Sequence, residues 1–203
     1  MHPNPAFRGA ERTTNIAFAQ KRSFGVLAVN GADGPLLSHI PFQLSQDGTA
    51  LEAHLVRSNP IVRALTSPQP GVIAVSGGDA YVSPDWYGVD DQVPTWNYIA
   101  VHIRGTLRLL EQGELHGVLD RLSAGMEGRL ADKTPWTSTK MDQHVYTRMQ
   151  RQIVPIAMDV SAIDGTWKLS QNKPEPARLG AAAGVETAGM GQDTASIAAL
   201  MKS

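Results

Sequence analysis

The sequence contains no cysteine among its 203 residues. This absence excludes disulfide bonds, thiol catalysis and thiolate metal sites, and it fits the cytoplasmic location that we expect. Histidines are few and scattered, with none of the close pairs that typically bind zinc. We therefore expect no metal centre. The histidines are His2, His39, His54, His102, His116 and His144.

A long apolar run and an excess of one charge are also missing. The 18 basic and 19 acidic residues leave a formal net charge of -1. No apolar stretch approaches the roughly 20 residues needed to span a bilayer, and the N-terminus lacks the basic-then-apolar pattern of a signal peptide. We expect no membrane association. DNA stays open as a partner, although the overall charge does not support it.

The common nucleotide and catalytic motifs are absent as well. The chain has no Gly-x-Gly-x-x-Gly, no phosphate loop and no Gly-x-Ser-x-Gly. Asp90 and Asp91 are adjacent carboxylates in a loop, where acidic pairs are usually just solvated. Catalytic residues therefore stay unassigned at this level.

Alternation of apolar and polar residues predicts a protein built mainly of strands. The longest strand is expected over 95–110, where Ile99, Val101 and Ile103 share one face. Turn residues predict breaks at Gly77-Gly78-Asp79 and at Asp164-Gly165. The predicted strands cover 23–30, 36–44, 49–56, 71–76, 80–83, 95–110, 153–160 and 166–170, and the predicted helices cover 13–22, 60–67, 111–130 and 142–152.

Only short helices separate these strands, which disfavours parallel crossover units. Six or more strands of this kind favour a mainly β protein with peripheral helices (α+β), organised as a closed or nearly closed antiparallel barrel. Residues 1–175 would form this domain with its inserted helices. Residues 176–203, rich in Ala and Gly, would form a helical or flexible C-terminal tail.

Two polar segments precede or interrupt these elements. Arg57-Ser58-Asn59-Pro60 is the best anion site in the sequence, since it combines a helix start with a guanidinium group and a hydroxyl. It also fits a plain capped helix with a surface arginine. Ser38-His39-Ile40-Pro41 interrupts a strand with proline, which predicts either a bulge with free backbone groups or an ordinary edge strand.

Aromatic and amide groups cluster in two further segments. Thr95-Trp96-Asn97-Tyr98 begins the longest strand, and Lys168-Leu169-Ser170-Gln171-Asn172-Lys173 ends the last one. Together with Ser83 they offer a flat wall, amides and cations, as a planar and partly anionic ligand needs. Core packing or a dimer contact remains the alternative for the aromatic residues.

These motifs, in order, resemble the PaiB-type FMN-binding negative transcriptional regulators of the FMN-binding split-barrel group. The resemblance spans about residues 20–175. It rests on Ser38–Phe42, His54–Pro60, Ala80–Tyr87, Val93–Tyr98 and Trp167–Lys173.

The resemblance implies a homodimeric six-stranded split β-barrel with FMN at the subunit interface. It implies that Arg57, Ser58 and N–H groups near Asn59 hold the FMN phosphate, and that the backbone of Ser38, His39, Ile40 and Pro41 meets the flavin edge. Trp96 and Asn97 would contact the ring from the neighbouring subunit. Ser83, Gln171 and Lys173 would complete the site.

Three functions follow as hypotheses. The first is a PaiB-type transcriptional regulator or flavin-dependent sensor. The second is an FMN-dependent oxidoreductase that uses NAD(P)H, since flavins carry hydride chemistry. The third is a haem-binding split barrel with an axial histidine.

Overall fold

The computed structural model describes residues 1–203 and divides the chain into two compact units. The first, called the terminal unit here, comprises Met1–Asn15, Ser76–Val101 and Asp164–Ser203. The second, called the barrel unit, comprises Ile16–Val75 and His102–Ile163. None of the helices has the length and apolar character needed to cross a membrane.

The chain forms seven strands, six α-helices and four short 3₁₀ helices. The strands are β1 (Phe24–Gly31), β2 (Gly34–Leu44), β3 (Ala50–Val56), β4 (Gln69–Val82), β5 (Thr95–Leu109), β6 (Ile153–Lys168) and β7 (Gly191–Gln192). The α-helices are α1 (Arg12–Arg22), α2 (Pro60–Ala64), α3 (Leu115–Glu127), α4 (Gln143–Gln150), α5 (Glu175–Ala188) and α6 (Thr194–Lys202). The 3₁₀ helices cover Pro5–Phe7, Pro84–Tyr87, Gln112–Glu114 and Ser138–Lys140.

The barrel unit contains a closed ring of six strands. Their order is β1-β2-β3-β6-β5-β4, and an antiparallel pairing of β1 with β4 closes the ring. Within this unit lie residues 69–75 of β4, 102–109 of β5 and 153–163 of β6. The expected six-stranded antiparallel barrel with peripheral helices is confirmed, and the two-residue β7 adds a short pairing to β4.

The predicted alternation determines which side chains fill the barrel. On β3, Leu51, Ala53 and Leu55 are buried, whereas the residues between them are partly exposed. Leu27 and Ile73, a directly opposed pair on the adjacent strands β1 and β4, are fully buried as well. Burial of each large aliphatic side chain contributes about 1.5–3 kcal/mol, so the alternation fixes the side of each strand that faces inward.

Two of the predicted turns are wrong. Gly77-Gly78-Asp79 lies inside the continuous strand β4, and Asp164-Gly165 lies inside β6. At these positions glycine lets atoms of a neighbouring segment approach the strand backbone closely, and it does not reverse the chain. A Cβ atom on Gly78 would lie 3.0 Å from the carbonyl oxygen of Gln192, and one on Gly165 would lie 2.0 Å from Oδ1 of Asn15.

Small residues determine how the C-terminal segment packs within the terminal unit. The buried face of α5 consists largely of alanine, and a Cβ atom on Gly184 would lie 2.3 Å from the indole of Trp86. Arg178 donates hydrogen bonds to the carbonyl oxygens of Met201 and Ser203, which ties α5 to the end of α6. The Ala and Gly bias of this segment therefore follows from close helix packing.

Replacing Gly165 with alanine should destabilise the protein. The added methyl group would displace the buried amide of Asn15, whose Oδ1 accepts a 2.8 Å hydrogen bond from the indole nitrogen of Trp167. Overpacking of this kind costs about 1–3 kcal/mol. Chemical denaturation measures the free energy of unfolding. Gly9→Ala is the matched control, because no atom lies within 4 Å of a Cβ at Gly9. Equal stabilities of the two variants would contradict the close-approach role.

Candidate functional site

The candidate site residues fall into two groups, one in each unit. The barrel unit holds Ser38, His39, Ile40, Pro41, Arg57, Ser58 and Asn59. The terminal unit holds Ser83, Trp96, Asn97, Gln171 and Lys173.

In the barrel unit, strand β2 leaves its neighbour β3 at Pro41. The ladder between the two strands runs only from Phe42 to Leu44, whereas β2 stays paired with β1 from Gly34 to Pro41. Proline has no N–H with which to continue the ladder. The backbone from Ser38 to Pro41 is therefore paired on one side only.

This unpaired edge carries side chains of different exposure. Ile40 is buried in the core, so only its backbone is available to a ligand. His39 is exposed, and its ring lies 6.4 Å from that of Phe24. Ser38 accepts a 3.1 Å hydrogen bond at Oγ from the side-chain amide of Asn59. This bond joins the open edge of β2 to the segment that precedes α2.

Arg57 stands beside this segment and is held by its neighbours. Its Nε donates to the carbonyl oxygen of Arg151 at 2.8 Å, and its Nη2 donates to Gln112 at 2.6 Å and to the carbonyl oxygen of Ile153 at 3.1 Å. A guanidinium group has five N–H donors, so both N–H bonds of Nη1 remain available. The hydroxyl of Ser58 makes no hydrogen bond and is exposed.

The N–H groups near Asn59 have other partners. Asn59 caps α2 through Oδ1, which accepts from the N–H of Ile61 at 2.9 Å, and its carbonyl oxygen accepts from the N–H of Val62. The N–H of Asn59 itself donates to Val56. Helix α2 has only five residues. The donors that this loop keeps for an anion therefore include Nη1 of Arg57 and the Ser58 hydroxyl.

A second feature of the barrel unit is an apolar groove of about 270 Å³ beside Pro41. Its walls include Leu122, Met126 and Trp136. His54 also lines the groove, and its Nδ1 is buried without a hydrogen-bond partner. Burial lowers the pKa of His54, which keeps the imidazole neutral at pH 7.

In the terminal unit, three aromatic rings form a connected series. Tyr81 lies edge-to-face with Trp86 at 6.2 Å and with Trp96 at 6.1 Å between ring centroids. The Trp96 side chain is 46% exposed, so its indole offers a surface for a further contact. Ser83 precedes the 3₁₀ helix that carries Trp86, and its side chain makes no capping bond.

Asn97 points the other way and is fully buried. Its Nδ2 donates to Oγ of Ser170 at 2.9 Å and lies 3.3 Å from the sulfur of Met201. The Ser170 hydroxyl is also 2.9 Å from that of Tyr87. Oδ1 of Asn97 has no partner. These contacts join β5 to the turn that follows β6.

The segment after β6 is held by a mixture of amide and ammonium contacts. Gln171 donates from Nε2 to the carbonyl oxygen of Ala6 at 3.1 Å and accepts at Oε1 from the N–H of Leu169 at 2.8 Å. Lys173 donates to Oε1 of Gln92. Gln171 therefore orders the turn, and Lys173 lines an adjoining cavity.

Sequence reasoning missed several residues of this cavity. Lys168 lies within the segment that the sequence singled out, although the predicted site includes only Gln171 and Lys173 from that segment. Tyr87 and Thr95 line the same space. The signal in the sequence for Lys168 is its place in this segment of cations and amides at the end of the last strand.

Replacing Asn97 with alanine should lower stability through the loss of a buried network. Unsatisfied buried groups cost about 1–3 kcal/mol each, and Ser170 would lose its amide donor. Denaturant unfolding measures the change. Tyr87→Phe, which removes only the hydroxyl contact to Ser170, should cost less. If Asn97→Ala leaves stability unchanged and weakens only FMN binding, Asn97 is a ligand contact and not a structural residue.

Comparisons with known proteins agree with this geometry. Residues 1–162 match the protein family described as "Putative FMN-binding domain". Protease synthase and sporulation protein PAI 2 of Bacillus subtilis is 30% identical over 160 residues, which cover 78% of this chain and 76% of that protein.

Two solved structures share the fold. The FAD and haem binding protein of Mycobacterium smegmatis aligns with a TM-score of 0.56 and 17% identity, over 80% of this chain and 73% of that one. A conserved hypothetical protein of Mycobacterium tuberculosis aligns with a TM-score of 0.58 and 17% identity, over 83% of this chain and 92% of that one. At these identities the likeness concerns the fold.

The residues present are chemically suited to a flavin mononucleotide. The unpaired backbone edge of β2 supplies donors and acceptors of the kind that a flavin ring edge requires. Nη1 of Arg57 and the Ser58 hydroxyl suit a phosphate group. The family match, the PAI 2 relationship and this donor set lead to one conclusion: the chain belongs to the FMN-binding domain family, has the split-barrel fold, and uses FMN as its cofactor.

Proposed function

We propose that the protein is a homodimeric flavin-dependent sensor that acts in gene regulation, with FMN bound along the open edge of β2. The observation that carries this proposal is the separation of β2 from β3 at Pro41, next to the Ser38–Asn59 hydrogen bond. In this arrangement the backbone of Ser38–Pro41 binds the flavin edge. Arg57 and Ser58 bind the phosphate.

A second copy of the chain completes the site in this proposal. Trp96 of one subunit would meet the flavin of the other, with Ser83 and Gln171 nearby. Asn97 is fully buried within its own subunit and Lys173 lines a cavity of the terminal unit, so this proposal assigns neither of them to the flavin. Large exposed apolar side chains support a dimer, since their burial in a subunit contact is favourable. In the barrel unit, Phe24, Leu37 and Val56 are each about half exposed or more, at 49%, 63% and 56%.

The regulatory part of the proposal is supported by the relationship with PAI 2, which is named for protease synthase and sporulation. When bound, FMN supplies reversible one- and two-electron redox chemistry. The protein residues position it: Arg57 neutralises the phosphate charge, and the β2 backbone orients the ring by hydrogen bonds. A change in the charge of the ring edge then acts directly on Ser38–Pro41.

Replacing Arg57 with alanine should weaken FMN binding about 10- to 100-fold. Loss of a hydrogen bond to a charged group costs about 1.5–3 kcal/mol, and tenfold in affinity corresponds to about 1.4 kcal/mol. Fluorescence titration of the apoprotein measures the dissociation constant. Riboflavin, which lacks the phosphate, should bind equally well to the variant and to the original protein.

Arg22→Ala is the matched control, because it removes a basic residue from the end of α1 in the same unit. Arg57 also bonds to backbone oxygens, so thermal unfolding must first show that the Arg57→Ala variant is folded. Unchanged FMN affinity in that folded variant would remove Arg57 from the site.

An FMN-dependent oxidoreductase is the second candidate, and the apolar groove of the barrel unit favours it. The groove begins at Pro41, at the end of the proposed flavin edge, and offers about 270 Å³ with mainly apolar walls. An apolar or planar substrate fits such walls. His54 would remain neutral there and could exchange a proton with it.

Anaerobic mixing with NADH or NADPH separates the two candidates. A sensor should show slow bleaching of the flavin absorbance and no sustained turnover when an electron acceptor is added. Rapid bleaching and multiple turnovers would instead establish the oxidoreductase. His54→Gln, which keeps a polar side chain in the groove, should then lower turnover without changing FMN affinity.

A further inference from the structure

A cavity of about 220 Å³ lies wholly within the terminal unit and has a charge pattern that the FMN site does not account for. Two lysines, Lys168 and Lys173, line it. Thr95 and Asn172 add a hydroxyl and an amide to its walls. Two cations in one small cavity carry an unfavourable electrostatic energy, because like charges repel.

The two ammonium groups keep donors that have no protein acceptor. Lys168 donates to Oγ1 of Thr95 and, at 2.8 Å, to the carbonyl oxygen of Trp96, which leaves one of its three N–H bonds. Lys173 donates to Oε1 of Gln92 and keeps two. Three charged donors thus remain on groups that line one cavity.

No carboxylate neutralises either lysine. All the partners of Lys168 and Lys173 are neutral oxygen atoms. Asp91 also lines the cavity and is exposed, but it forms no salt bridge with them. Burial and then the nearby Lys173 ammonium lower the pKa of Lys168. A bound anion would remove this electrostatic cost.

Aromatic rings form the apolar part of the cavity wall. Phe7 and Tyr87 are both buried, and the ammonium groups of Lys168 and Lys173 stand 5.9 and 5.4 Å from their respective ring centroids. These contacts hold the ammonium groups in place. The volume lies below the roughly 300 Å³ at which pockets for drug-sized ligands begin, so the space suits a small molecule and not a flavin ring.

We propose that this cavity binds a small free oxyanion, through a phosphate or carboxylate group held between Lys168 and Lys173. The three remaining ammonium donors match the acceptor oxygens of such a group. Thr95 and Asn172 lie where they can bond a second polar atom. This anion site is additional to the FMN phosphate site at Arg57 and does not depend on it.

Isothermal titration calorimetry of the FMN-loaded protein with inorganic phosphate, and separately with acetate, tests the proposal. We expect saturable binding of one anion per chain. The double variant Lys168→Gln/Lys173→Gln should bind at least tenfold more weakly, because glutamine keeps polarity but removes the charge. Lys21→Gln, in the barrel unit, is the matched control and should bind as the original protein does. Absence of saturable binding to the original protein, or equal binding by the double variant, overturns the proposal.

A second arm asks whether the lysines hold the cofactor's own phosphate. Apoprotein of the original sequence and of the double variant is titrated with FMN and with riboflavin. Equal FMN affinities support a separate anion site. Loss of FMN affinity with unchanged riboflavin affinity assigns the lysines to the cofactor and overturns the proposal.

Two further measurements cover the cases in which the double variant does not fold or FMN does not bind. If the double variant does not fold, the single variant Lys173→Gln and the phosphate-induced shift of its melting temperature replace it, and a shift equal to that of the original protein counts against the site. Failure of FMN to bind the original protein would refute the proposed function alone, since anion binding is then measured on the apoprotein.

Discussion

The open edge of β2 depends on the backbone chemistry of one residue. Pro41 has no N–H, so the ladder with β3 stops at Phe42 while β3 continues along β6 as far as Val56. Strand β2 thus keeps a row of backbone groups that no neighbouring strand pairs with, although the ring of strands is otherwise closed. Asn59 reaches this edge through Ser38. The separation therefore places the proposed flavin edge beside the loop that carries Arg57.

Close packing at glycine supports the same ring. In the barrel unit a Cβ atom on Gly105 would lie 2.2 Å from the carbonyl oxygen of Asp159, so β5 and β6 approach each other only because that atom is absent. In the terminal unit Gly165 and Gly78 serve the same purpose against Asn15 and Gln192. These positions explain why β4 and β6 run straight through sequences that are typical of turns.

The terminal unit contains polar side chains that an apolar core does not require. Asn97, Ser170 and Tyr87 satisfy one another in a buried network, apart from one oxygen atom of Asn97. Lys168 and Lys173 are held by neutral acceptors and by ring faces. Such groups are costly to bury without a partner. Their retention around one cavity is the physical reason for assigning it a ligand.

The sequence alone determined the strand alternation, the six-stranded antiparallel barrel and the family, because periodicity and ordered motifs are local properties. It also singled out Arg57 and Ser58 as the proposed anion contacts, since a cation and a hydroxyl before Asn-Pro are visible in the chain. Only the tertiary structure decided that the N–H groups of Ile61 and Val62 are used within the cap, and that Lys168 and Lys173 line one cavity. The reason is that hydrogen-bond partners and the spacing of charges depend on residues far apart in sequence, whereas the pattern of each strand does not.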